Sequence, residues 1–224
     1  MKRKILITIP VFIFAILLTG FLISEKNSYV DSSVDNPRND RFSDITVYSP
    51  MTLSNNDMYS INGENQFLRL LMIKGKYYEE WTPGPYMGTI WEGNFIIELI
   101  NDSGESISKI DLSEVYKEKL IFTSPFQIQF DDYNNDGDID FTIGQYSSSN
   151  GREYTLFSLR KDGKIETLPM QGYSSLFISN TTGYYSTKLT KITDTSFTIE
   201  YYDNSVANNI VKEFEWDGKE FITN

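Results

Sequence analysis

The 224-residue chain contains no cysteine and no histidine. Those two absences exclude disulfide staples, thiolate nucleophiles, zinc sites built on Cys or His, and every catalytic arrangement that needs an imidazole. Small secreted domains commonly rely on disulfides, so their absence fits bacterial export better than eukaryotic secretion. Positive charge is also scarce, with 20 Lys and Arg against 31 Asp and Glu. Three of the 20 are Lys2, Arg3 and Lys4, so the rest of the chain carries 17 basic against 31 acidic residues, a net charge of −14. Such a surface repels nucleic acid and anionic headgroups and attracts cations, which removes nucleic acid as a partner. Helical patterning is sparse. "DLSEVYKEKL", residues 111–120, offers a helix start at Ser113 over a thin apolar stripe, and a solvated loop is the rival reading.

What is present points to sheet. Aromatic residues make up 15% of the chain, mostly Tyr and Phe, and β-branched residues are common. "FQIQF" (126–130), "IDFTI" (139–143) and "SFTIEYY" (196–202) alternate with a period of two, which predicts strands with one apolar face. Asp162-Gly163 and Asp217-Gly218 read as two-residue hairpin turns, and 95–112 reads as a hairpin with a slightly longer turn around Ser103-Gly104. The expected fold class is mostly β, an antiparallel sheet domain of hairpins arranged like propeller blades or as a sandwich, behind one N-terminal transmembrane helix.

That helix is read from "MKRKILITIPVFIFAILLTGFLIS", a basic cluster followed by an apolar run from Ile5 to Ile23. At 1.5 Å per residue the run reaches roughly 30 Å, the thickness of a hydrocarbon core. Residues 1–24 are therefore a signal anchor or a signal peptide. The anchor is the reading taken, because small-x-small cleavage sites are poor, ending only at Gly20 or Ser24, and no Cys follows for lipidation. With Lys2 to Lys4 inside, everything after Ser24 lies outside the membrane, or is secreted if the segment is cleaved. Residues 25–43 are polar and aperiodic and read as a flexible linker, so the folded domain is expected over 44–224.

The densest chemical signal is "DDYNNDGDID", residues 131–140. Counting from Asp132, oxygen-bearing residues occupy positions 1, 3, 5, 7 and 9: Asp132, Asn134, Asp136, Asp138 and Asp140, with Gly137 at position 6. Alternate side chains that converge around a Gly bend suit a hard cation, and Ca2+ takes six to eight oxygens at about 2.3 to 2.6 Å. Asp138 is expected to offer its backbone carbonyl, and Asp131 to point away from the loop. An EF-hand is excluded, because position 12 is Ile143 and both flanks alternate like strands. A solvated Asx-rich turn without an ion is the plainer alternative.

The stretch "DYNNDGDIDFTIGQYSSSNGREYTLF", residues 132–157, resembles the FG-GAP or VCBS type of repeat: a D-x-N-x-D-G-x-x-D loop, a strand, a Gly, a variable loop and a second strand. The resemblance implies calcium ligation by Asp132, Asn134, Asp136, the Asp138 carbonyl and Asp140. It matches Gly144 to the Gly after the first strand and Tyr154 to Phe157 to the second strand. "GQY" replaces the family's Gly-Ala-Pro element, and one copy covers 26 of the 224 residues. The length also excludes a full seven-bladed propeller at about 40 to 50 residues per blade.

Residues 77–94 gather further aromatics, of which Trp81, Tyr86 and Trp91 are candidates for stacking on a sugar or anchoring a protein, with core packing as the rival reading. The expected function is a membrane-tethered cell-surface module with a structural calcium loop, acting by binding or by support, its partner a protein or a carbohydrate. The alternative is a surface polysaccharide hydrolase working through paired carboxylates, with Glu79, Glu80, Glu92 and Glu98 near the aromatics.

Overall fold

Alternating apolar residues, punctuated by Gly, Asn and Asp turns, fold the chain into antiparallel strands. The computed structural model describes residues 45–47 and 50–223. The expected membrane segment at 1–24 and linker at 25–43 lie outside the described residues, among which no helix is long and apolar enough to cross a membrane.

Three antiparallel sheets follow one another along the sequence, and the chain is mostly β with very little helix. The first contains β1 (Ile45–Val47), β2 (Met51–Asp57), β3 (Gln66–Glu80), β4 (Gly88–Asn101), β5 (Ser106–Asp111) and β6 (Leu120–Phe122); the long β3–β4 hairpin is its spine. The second contains β7 (Phe130–Asp131), β8 (Ile139–Ser148), β9 (Gly151–Leu159), β10 (Ile165–Thr167) and β11 (Leu176–Ile178). The third is a meander of β12 (Thr190–Thr193), β13 (Ser196–Asp203), β14 (Asn208–Trp216) and β15 (Phe221–Ile222). A single helical turn, α1 (Tyr59–Asn62), joins β2 to β3.

The middle sheet is covered on both faces. Phe141, Ile143, Phe157 and Leu159 pack into one core with Leu68, Leu70 and Phe95 of the first sheet. Tyr154 and Leu156 face the other way, into a second core with Tyr133, Phe197, Phe214 and Phe221. The sequence predicts one covered face for 139–143. In fact Asp140 and Thr142 are also fully buried, because the third sheet and the segment leading to it close over them. Thr142 is satisfied there by Thr187, donating to its carbonyl oxygen and accepting from its N–H, each at 2.8 Å.

Other local expectations are corrected by the same structure. "FQIQF" buries Ile128 and exposes Gln127, but it joins a ladder only at Phe130. Its backbone is instead held by side chains: Ile128 N–H donates to Asn56 Oδ1 at 2.8 Å and Gln129 N–H to Ser186 Oγ at 2.9 Å. Over 111–120 only a 3-10 turn forms, Leu112–Glu114, capped by Asp111 ahead of the expected start at Ser113. The Asp162-Gly163 turn is longer than two residues, because only Gly163 takes positive φ while a two-residue type I′ turn needs it twice. Gly163 N–H donates to Arg160 O and Arg160 N–H to Lys164 O, both at 2.8 Å, which closes a five-residue connection.

Asn56 has no obvious signature in the sequence, yet it ties three segments together. Its amide donates to Leu68 O at 3.0 Å and Ser54 Oγ at 2.9 Å while its oxygen accepts from Ile128. Asn56→Ala leaves a buried donor and a buried acceptor without partners, and a loss of about 3 kcal/mol in urea unfolding is expected.

Candidate metal centre

The acidic loop connects β7 to β8, and the β8–β9 ladder fixes what lies beside it. Register places Ile139 opposite Leu159, so Arg160 and Lys161, at the start of the β9–β10 turn, come up against Asp136 and Asp138. Inside the loop, backbone amides hold one oxygen of each end carboxylate. Asp132 Oδ2 accepts from Gly137 N–H at 3.0 Å, and Asp140 Oδ2 accepts from Tyr133 N–H at 2.8 Å. Gly137 has φ 80° and Asn135 φ 56°, which together make the bend.

The remaining oxygens divide into two groups. Asp132 Oδ1, Asn134 Oδ1 and Asp140 Oδ1 are buried and have no hydrogen-bond partner. Asp140 and Asn134 are 0% and 3% exposed. Asp136 and Asp138, by contrast, are engaged. Asp136 Oδ2 accepts from Asn134 at 2.9 Å and from Arg160 at 2.6 Å, and its Oδ1 accepts from Asp138 N–H at 2.9 Å. Asp138 accepts from Arg160 at 2.9 Å and from Lys161 N–H at 2.9 Å, so its carboxylate is turned to the β9–β10 turn. Asp131 lies outside the loop beside Lys188 and Lys191, at 3.7 and 3.8 Å. Lys191 also donates to the Asp132 carbonyl oxygen.

The charges respond accordingly. Burial pushes the Asp140 carboxyl up to about 7, with repulsion from Asp136 and Asp132 adding to it, against the Tyr133 N–H bond and the hydroxyl of Ser158, which lies across from it on β9. Burial also opposes the Asp136 charge, but the Asp138 N–H, Asn134 and Arg160 outweigh it and hold that carboxyl below its usual range. Among the described residues, no three acidic side chains are gathered so as to hold a metal ion by themselves. The donor set left open is two carboxylate oxygens and one amide oxygen, a combination suited to a hard cation and to no softer metal.

Sequence reasoning missed Arg160, Lys161, Tyr133 and Lys191. Register was the available signal for the first two, since a hairpin joining "IDFTI" to "YTLFSL" brings the next residue beside Asp138.

The three candidate aromatics are not brought together. Trp81 stands at the tip of the β3–β4 hairpin, 61% exposed, its indole N–H donating to Glu79 at 3.0 Å. Tyr86 rests edge-on against Tyr146 of the middle sheet, 5.5 Å between centroids. Trp91 packs against Tyr77 at 5.3 Å and borders the first core. The other candidate carboxylates are engaged separately: Glu98 pairs with Arg69 at 2.7 Å, Glu92 accepts from Tyr78 at 3.0 Å and Glu80 accepts from Thr82 N–H at 2.7 Å. A 540 Å³ groove beside Glu92 is lined by Lys74, Lys76 and Lys119, with no second carboxylate.

No family model matches the chain, and no curated protein or solved structure matches it either.

Proposed function

We propose that this chain is an exported, membrane-tethered β module whose 132–140 loop binds one Ca2+ and so clamps the entry into the middle sheet. The observation that carries the reading is the trio of buried, unpartnered oxygens on Asp132, Asn134 and Asp140. Burying an oxygen without a donor is costly, and three in one nine-residue loop are satisfied together by a single hard cation. The resemblance to FG-GAP and VCBS repeats adds Asp136 and the Asp138 carbonyl to these three; Asp136 has both oxygens engaged, by Asn134 and Arg160 and by Asp138 N–H, and water completes the shell. When bound, the ion supplies charge neutralisation and crosslinking of the loop; the residues of the chain do the positioning.

The clamp matters because Asp140 belongs to β8, which gives Phe141 and Ile143 to the first core and is also buried on its other face, at Asp140 and Thr142. Calcium at a hundredfold over Kd stabilises by about 2.7 kcal/mol, which raises the melting temperature by about 5 to 10 °C in a domain of this size. The expected result is such a rise over the EDTA value for the wild-type chain and none for Asp132→Ala. An equal rise in both, or none in either, contradicts the reading. As a surface module the chain acts by binding a protein or carbohydrate partner, with exposed Trp81 as the contact residue. Trp81→Ala is expected to leave the melt unchanged and to weaken retention on whole cells or isolated envelope polysaccharide.

A further inference from the structure

We infer that Arg160 is a built-in counter-cation for the acidic loop and that it sets how tightly the loop holds calcium. The second half of this statement rests on the calcium reading; the first half does not. One guanidinium meets three carboxylates, Asp136 at 2.6 Å, Asp138 at 2.9 Å and Glu166 at 2.8 Å, with its side chain only 24% exposed. Its own backbone is fixed by the bond from Arg160 N–H to Lys164 O. Arg presents a rigid planar fork of donors, which is why one residue can bridge carboxylates from two different elements.

Two consequences follow from where that charge sits. Four carboxylates lie within 132–140, and without a cation they repel one another. Arg160 neutralises the outer pair, which lets the loop stay folded before any metal arrives. It also occupies Asp136 Oδ2 and puts a positive charge on the loop itself, so an arriving divalent ion binds more weakly than the bare loop would allow. The arrangement fits a module that is folded at low calcium and saturates only where calcium is abundant.

The test uses the full-length chain in detergent micelles, with Arg160→Met and Arg160→Lys beside the wild type and circular dichroism to confirm that all three are folded. In EDTA, Arg160→Met is expected to melt about 5 °C or more below wild type. By calorimetric titration it is expected to bind calcium about tenfold more tightly. Arg160→Lys keeps the charge but loses the fork, so its EDTA melt falls while its calcium affinity stays near wild type. An unchanged EDTA melt in Arg160→Met overturns the counter-cation role. A lowered melt with unchanged or weaker calcium binding overturns the control of affinity and leaves Arg160 as ordinary support. Absence of calcium binding in every protein overturns the calcium reading and the affinity claim with it, while the EDTA melts still decide the counter-cation role.

Discussion

Asp140→Asn is expected to make the calcium-free domain more stable at roughly pH 8 and, in the same molecule, to abolish its response to calcium. A residue that merely supports the fold would not change the two properties in opposite directions. The carboxyl titrates near 7 in the folded domain against an ordinary value of 3.8. Above pH 7 the buried charge therefore carries its full penalty, roughly 4 kcal/mol at 1.36 kcal/mol per unit. As pH falls through 7 toward 4, the folded state takes up a proton that the unfolded chain does not, and the penalty is lifted. The wild-type domain in EDTA should thus gain stability between about pH 8 and 5. Asp136, Glu98 and Glu166, all held below their usual ranges, lose their contributions only at lower pH, outside that window. Excess calcium should reverse the slope, because protons then compete for a ligand. Asn at this position keeps an acceptor for Tyr133 N–H without the charge, so about 2 kcal/mol of the penalty should be recovered and both slopes flattened.

The second large effect is at Gly144. Its position on β8 lies directly across from Tyr154 of β9, and a Cβ added there would meet the Tyr154 ring at 2.3 Å. The ring cannot move aside easily: Tyr154 is fully buried and its hydroxyl donates to Gly183 O at 2.6 Å. Gly144→Ala is expected to cost about 3 kcal/mol in urea unfolding, near the upper end for overpacking a core. Tyr154→Leu alone should cost a comparable amount by opening a cavity. The double substitution should cost less than the sum of the two, because the methyl then occupies part of the space the ring has left. Strict additivity would show that Gly144 is present for another reason.

How much of this was legible in the sequence depended on whether the signal was local. The hairpin over 95–112 and the acidic loop follow from residues next to one another, and turn chemistry located both. "FQIQF" has the alternation of a strand, yet only Phe130 enters a ladder. Asn56 and Ser186 take up the backbone donors at Ile128 and Gln129, one from about seventy positions before and one from about sixty after. The two-sided burial of β8 was not readable from "IDFTI", since it depends on a third sheet that begins fifty residues later. In the loop, the spacing named the oxygens but not their division: nothing in 132–140 says that Asp136 and Asp138 face an arginine. Trp81, Tyr86 and Trp91 are close in sequence but differently placed: Trp81 is exposed at the hairpin tip, Tyr86 of the same connection folds onto Tyr146, and Trp91 lies within β4 against Tyr77.

The most direct measurement is calorimetric titration of calcium into the EDTA-stripped full-length chain, with Asp132→Ala as the comparison. One site per chain is expected, with a Kd of about 10⁻⁴ to 10⁻³ M, the range of extracellular calcium modules, and no site in the variant. No binding to the wild-type chain at about 10 mM calcium, or equal binding by both, would contradict it.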